Sequence, residues 1–191
     1  FIEAGIRGGL TQCVLRYAKA NNPKNPNYDP TQPTSHIVYL DANNLYGWAM
    51  SNYLPYGSFE WFEPEEDFDV LKVPDESPIG YILEVDVDYP DTLHDKHNDL
   101  PFLPERKRPP NGKTEKLLLT LDSKRNYVVH YVALKQAINA GLVLKRIRRV
   151  IKFKQAPWLR PYIFFNTDLR SKAKNKFQIT FFKDMVNSVF G

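Results

Sequence analysis

The chain has 191 residues, 42% of them hydrophobic and 14% aromatic, with a formal net charge of +4. This is the composition of a globular protein with one core, or of part of a larger enzyme, and it excludes a disordered chain. No apolar run approaches the roughly 20 residues that cross a bilayer, and Phe1-Ile2-Glu3-Ala4-Gly5 has neither the basic start nor the long apolar stretch of a secretory signal. A soluble, intracellular protein with no membrane partner is expected. The single Cys13 excludes an intramolecular disulfide and a thiolate metal cluster; it suits a reducing compartment and reads as a small buried residue. The chain does not begin with Met and ends inside an expected helix, so both ends read as cuts in a longer protein.

The net charge hides a division. Residues 1–34 hold four Lys/Arg against two Asp/Glu, residues 35–104 hold two against fifteen, and residues 105–191 hold twenty against five. Two readings stand open. Cations can meet polyphosphate while carboxylates hold divalent metal, or the acidic and basic faces can solvate and pair with each other.

In chain order, residues 21–34 carry four prolines among Asn, Asp, Thr and Ser, which predicts an exposed, mobile loop. Ile37-Val38-Tyr39-Leu40 reads as a short buried strand delivering Asp41 at its end. Residues 55–80, acidic and rich in Pro and Gly, read as a surface excursion. Residues 81–89 alternate, predicting a strand with Leu83, Val85, Val87 and Tyr89 inward. Residues 90–114 read as a polar loop and Lys116 to Leu121 as a strand. Asp122 or Ser123 then caps a helix reaching Ala140, with Tyr127, Tyr131, Leu134 and Ile138 on one core face and Gly141 as the stop. A basic strand runs from Leu142 to Phe153. Pro157 and Pro161 open a helical region, interrupted near Lys174-Asn175 and resuming from Lys176. No internal repeats are present.

At about 100° per residue, the last helix places Lys176, Thr180, Lys183 and Asn187 on one narrow polar stripe. Phe177, Phe181, Phe182, Met185 and Val189 fall on the opposite arc, and Phe190 borders the stripe. Ammonium groups in such a stripe suit a triphosphate, whose leaving group gains charge during phosphoryl transfer. A solvated lysine face on an amphipathic helix is the plain alternative. At Asp41 the choice is similar. A carboxylate at a strand end, followed by a turn exposing backbone groups, can hold Mg²⁺ by the Asp41 oxygens and the Ala42 carbonyl, with amides near Leu45 and Tyr46 for phosphate. Alternatively, Asp41 caps a helix starting at Ala42 while Leu45 and Tyr46 fill core.

The two segments read Asp41-Ala42-Asn43-Asn44-Leu45-Tyr46-Gly47 and Lys183-Asp184-Met185-Val186-Asn187-Ser188-Val189-Phe190-Gly191. Together they resemble motifs A (D-x-x-S-L-Y-P) and B (K-x-x-x-N-S-x-Y-G) of the B-family DNA polymerases. Ile6-Arg7-Gly8-Gly9 is similar to the Y-x-G-G junction of the protein-primed branch found in viruses, organellar plasmids and self-synthesising transposons. The resemblance implies an α+β fold: a partial palm, meaning an antiparallel sheet with helices, plus helical fingers, truncated at both ends. Residues 1–34 would be the exonuclease–polymerase junction, 35–156 the palm and 157–191 the fingers.

The implied activity is DNA-directed DNA polymerisation from dNTPs on template–primer DNA, with two Mg²⁺ ions and a possible priming terminal protein. Asp41 would be the catalytic metal ligand, assisted by the Ala42 carbonyl. Leu45 and Tyr46 would contact the nucleotide, with Tyr46 as the gate that selects deoxyribose. Lys183 would meet the triphosphate, Asn187 and Phe190 would line the nucleotide and template pocket, and Arg7, Gly8 and Gly9 would touch DNA. Lys172 and Lys176 are added as phosphate contacts on charge and location alone. Asn44 and Gly47 stand where motif A has Ser and Pro, Phe190 where motif B has Tyr, and Ile6 where the junction has Tyr. Motif C, with the second aspartate, would lie beyond Gly191 and the exonuclease before Phe1, leaving this segment inert by itself. The host compartment (nucleus, organelle or virus) is left open.

Two other readings remain. His94-Asp95-Lys96-His97-Asn98-Asp99 has His and Asp at intervals compatible with a transition metal, or is a solvated loop. A non-catalytic nucleic-acid-binding module would grip phosphates with Arg146 to Lys154 and stack Trp158 or Tyr162 on bases.

Overall fold

The alternation seen in residues 81–89 becomes the centre of a sheet. The computed structural model describes residues 1–65 and 67–190. Helix α1 spans Leu45–Met50, followed by strands β1 (Leu54–Phe62) and β2 (Ile79–Asp88), a single turn of helix α2 (His94–His97), and the short strands β3 (Glu105–Lys107) and β4 (Lys116–Leu118). Strand β5 (Lys124–His130) runs directly into α3 (Tyr131–Asn139), then come β6 (Val143–Ala156), α4 (Arg160–Ser171) and α5 (Lys176–Asn187). The four long strands form one antiparallel sheet in the order β1-β6-β2-β5, and β3-β4 form a separate hairpin.

One row shows how the core is built. Phe62, Val150, Leu83 and Val129 lie side by side across β1, β6, β2 and β5. Leu83, Val85, Val87 and Tyr89 are all buried, as their spacing predicts, and α3 covers them with Tyr131, Leu134 and Ala137. Gly141 ends α3 with φ at +108°, where its amide bonds the Ile138 carbonyl at 2.9 Å; a side chain would be strained there.

Several expectations are corrected. The helix expected from Asp122 or Ser123 begins only at Tyr131, because residues 124–130 form β5. Tyr127, Val128 and Val129 are residues that fit a pleated, half-buried surface. Ser123 accepts a bond from the Tyr89 amide instead of capping a helix, and the His130 ring takes the cap by accepting from Val132 N at 3.4 Å. Burial pushes the His130 imidazole down to about 4, so it is neutral at pH 7. The expected strand 116–121 stops at Leu118.

The excursion at 55–80 contains an edge strand, β1, with register shifts around Gly57 and Ser58 at φ +54°. Bulges of this kind break alternation and are common on sheet edges. Ile37-Val38-Tyr39-Leu40 is neither paired nor buried, with Tyr39 90% exposed. A strand needs a ladder partner, and no described strand runs beside it. Residues 21–34 are cross-braced rather than bare: the Asn21 side-chain amide donates to the carbonyls of Asp29, Gln32 and Pro33, and that of Asn22 to the Ser35 carbonyl. Cys13 is exposed, not buried.

Part of the charge division resolves into pairing across the sheet. Arg149 grips Glu84 through two bonds (2.6 and 3.1 Å), and Arg148 grips Asp86 likewise (2.9 and 2.6 Å). Arg125 meets Asp88 at 2.7 Å and Lys152 meets Glu60 at 3.3 Å. The Arg148 guanidinium, with a bond from the Asn126 amide, lowers the Asp86 carboxyl to about 2. Bidentate pairs of this geometry hold register. They also occupy Arg148, Arg149 and Lys152, three of the five cations that the binding-module reading assigns to phosphate.

No described helix is long and apolar enough to cross a membrane.

Candidate active site

Motif A does not fold around an Asp41 cap. Helix α1 starts at Leu45 behind Asn44, which takes the left-handed conformation (φ +54°) and makes no side-chain cap bond. Asn tolerates that conformation better than most residues. Leu45 and Tyr46 are exposed, so they do not fill core. Gly47 is buried beneath the Asn44 side chain, which occupies the space a Cβ at 47 would need. The two departures from the motif A pattern are thus in direct contact.

A small second core fixes α1 against the C-terminal helices. Met50, Ile163 and Val186 are buried together, with Leu159, Tyr162 and Val189 around them. Each such side chain, once buried, contributes about 1.5–3 kcal/mol. Polar bonds frame this cluster. Arg160 Nε donates to the Ser51 carbonyl at the end of α1 (2.8 Å), and Ser51 Oγ donates to the Gly47 carbonyl (2.8 Å). The Tyr162 hydroxyl donates to the Met185 carbonyl on α5 (2.9 Å). Asn175 caps α5 by accepting from Gln178 N at 3.0 Å, so the break between α4 and α5 falls where expected.

The consequence is a cavity of about 420 Å³ lined by Tyr46, Ala49, Met50 and Leu54 from one side and Asn187 and Phe190 from the other. Motif A's aromatic residue therefore shares one space with motif B's asparagine and aromatic residue. Both rings are open to solvent, Tyr46 at 72% and Phe190 at 73%. The opposite arc of α5 is only half core: Phe182, Met185, Val186 and Val189 are buried to some degree, whereas Phe177 and Phe181 are exposed and stack on each other at 6.2 Å.

The remaining predicted residues divide. Lys183 and Lys176 are exposed and have no ion-pair partner among the described residues, whereas Lys172 is held by Asp168 at 2.7 Å. Asp41 and Ala42 are exposed, and Asp41 makes no ion pair or hydrogen bond among the described residues. Neither Asp41 nor Lys183 lines the cavity. A free carboxylate beside a backbone carbonyl is a hard-oxygen donor set that fits Mg²⁺ with water completing its shell. It fits as one part of a site, since no three acidic, His or Cys side chains converge among the described residues.

Arg7 turns inward, donating to the Val128 carbonyl at 2.6 Å and lying over the Tyr127 ring at 3.9 Å; Gly8 and Gly9 are exposed. His97 is buried and bonds the Tyr89 hydroxyl at 2.9 Å, so it does not belong to a solvated loop, and no metal-holding group of His, Cys, Asp or Glu forms among the described residues. Sequence reasoning missed Ala49, Met50, Leu54 and Ile163. Met50 carried the only signal, standing one helical turn after Tyr46.

The chain matches the family model of DNA polymerase type B, organellar and viral, over residues 23–191, and it belongs to that family. Among solved structures it is similar to phi29 DNA polymerase in an orthorhombic crystal form, at 20% identity and a TM-score of 0.53, covering 79% of this chain and 25% of that one. It is likewise similar to the phi29 post-translocation complex with primer–template DNA (19%, 0.51; 79% and 24% covered). The phi29 ternary complex with primer–template DNA and incoming nucleotide matches at 18% and 0.50, with 79% and 25% covered. At such identity the likeness concerns the fold. The chain spans about a quarter of the length of these polymerases, and no curated protein matches it.

Proposed function

We propose that this chain forms the nucleotide-binding half of a DNA-directed DNA polymerase site. Residues 1–34 would serve as the junction, 35–156 as palm and 157–191 as fingers. The observation that carries the reading is the cavity shared by Tyr46, Asn187 and Phe190. In the reaction a primer 3′-hydroxyl oxygen, or a hydroxyl of a priming protein, bonds to the α-phosphorus of a dNTP. The bond to the bridging β-phosphate oxygen breaks, and pyrophosphate leaves.

Each residue has a distinct task. Lys183, free of ion partners and one turn before Asn187, neutralises charge that develops on the leaving phosphates. Lys176 can add to that field, while Lys172 must first release Asp168. Phe190 gives the base an aromatic face, Asn187 supplies an amide, and Leu45 and Tyr46 bound the sugar side. Asp41 and the Ala42 carbonyl would hold magnesium, which when bound activates the attacking hydroxyl and stabilises charge on the phosphate. One carboxylate cannot hold two ions, so the reading requires a further acidic ligand from elsewhere in a longer polymerase. Gly8 and Gly9 leave backbone accessible to DNA; Arg7 acts by fixing that segment to β5.

The test is sugar selection. In the full-length polymerase, Tyr46→Ala should lower discrimination against ribonucleotides by about 10–100-fold, the range for removing one steric contact in a pocket. Competing dNTP and rNTP incorporation measures it. Unchanged selectivity would remove Tyr46 as the gate.

A further inference from the structure

Helix α1 has a second side. Tyr46, Ala49 and Met50 face the cavity already described, but Asn44, Gly47, Trp48 and Ser51, at the alternate helical stripe, line another of about 510 Å³. Its other walls are Asn43, Asn52, Arg160, Ile163, Phe164 and Thr167. Two large rings stand at this cavity in the open, Trp48 at 66% and Phe164 at 60% exposure. Rings left this exposed on neighbouring elements call for a partner.

The chemistry of the walls narrows that partner. Apart from the rings and Ile163, the lining carries neutral amides and hydroxyls, one guanidinium and no carboxylate; Ser51, Asn52 and Arg160 Nε already donate to the Gly47, Trp48 and Ser51 carbonyls, which leaves the side chains of Asn43, Asn44 and Thr167 to donate and accept. Residues 157–191, which carry α4, hold six Lys/Arg against two Asp/Glu. An apolar protein segment would leave Asn43, Asn44 and Thr167 unmatched, and an acidic peptide would make little use of two aromatic faces. A nucleobase uses both, its faces on the rings and its edge on the amides, while the terminal nitrogens of Arg160 can meet its phosphate.

We infer that the Trp48–Phe164 cavity binds an unpaired base of single-stranded DNA, on the far side of α1 from the Tyr46 cavity. This deepens the polymerase reading by giving the strand a second holding point, yet it concerns binding alone and is tested without catalysis.

The experiment is anisotropy titration of this chain with a labelled oligo-dT at two salt concentrations. Trp48→Ala and Phe164→Ala should each weaken binding about 5- to 100-fold, the effect of losing one stacking face, while Trp48→Phe should retain most of it. Thermal melting identifies any variant that fails to fold. For such a variant, photocrosslinking of wild type with a bromodeoxyuridine-substituted strand substitutes, and the linked peptide should contain Trp48 or Phe164. Alanine variants that fold and bind like wild type would overturn the proposal. So would crosslinks mapping elsewhere, equal affinity for duplex, or self-association of the chain through these rings without oligonucleotide binding. None of these outcomes bears on Asp41 or on primer extension, so this inference and the polymerase reading can fail separately.

Discussion

Lys124→Ala should lower the unfolding free energy by about 3–5 kcal/mol, the usual cost of removing one partner of a buried ion pair. Lys124 is wholly buried at the start of β5. Its ammonium meets Glu105 Oε2 at 2.8 Å, Thr120 Oγ1 at 2.6 Å and the Thr120 carbonyl at 3.1 Å. Burial lowers its pKa, opposed by the Glu105 carboxylate. This contact ties the β3-β4 hairpin to the main sheet, because Glu105 belongs to β3 and the Tyr127 hydroxyl donates to the neighbouring Pro104 carbonyl at 2.8 Å. Alanine leaves Glu105 with the Thr120 hydroxyl at 2.8 Å and with Lys107 at 3.0 Å on the solvent side, but without its buried cation. Urea denaturation of the chain measures the loss. Since the damage is a half-buried carboxylate deprived of its buried cation, Lys124→Met combined with Glu105→Leu should recover much of it. A loss below about 1 kcal/mol for Lys124→Ala would mean the pair behaves as a surface one.

Ile163→Ala should cost about 2–5 kcal/mol by opening a cavity, and its effect should be local. Ile163 sits between Met50 of α1 and Val186 of α5, in a cluster separate from the sheet core. With so few buried side chains holding three helices, there is little to compensate. Hydrogen exchange should show α1, α4 and α5 losing protection while β2 and β6 keep theirs. The Tyr46–Asn187–Phe190 cavity should loosen with them, so nucleotide affinity should fall although Ile163 does not line that cavity. Unchanged protection in α1 would show that the helix is held by the Arg160–Ser51 bond and its neighbours instead.

The parts of the fold legible in advance are those where one local signal dominates. Strand β2 alternates because one face is buried under α3, and the breaks at Gly141 and Asn175 follow from backbone conformation and capping. Strand β5 was hidden by its spacing. Tyr127 and Tyr131 are four residues apart, which suits a helical face and also one face of a strand, and the true boundary falls between them. Strand β1 was hidden by Pro55, Gly57 and Ser58, which read as a loop but sit on a bulged edge.

The site divides the same way. Asp41, Tyr46, Lys183, Asn187 and Phe190 stand out as residue types that bear chemistry in recognisable spacing. Met50, Leu54 and Ile163 are ordinary apolar residues whose convergence is purely tertiary. Apart from Met50's place one turn after Tyr46, nothing in their local sequence marks Met50 and Leu54 as walls of that cavity or Ile163 as its support.

Metal-dependent primer extension by the full-length polymerase, wild type against Asp41→Asn, tests most directly whether the free carboxylate before α1 serves the Tyr46–Asn187–Phe190 cavity. Asparagine keeps the shape but removes the charge that would hold magnesium, so extension should fall by at least about a thousandfold, with primer–template affinity unchanged. Extension persisting near the wild-type rate would contradict the assignment of Asp41 and the nucleotide site built around it.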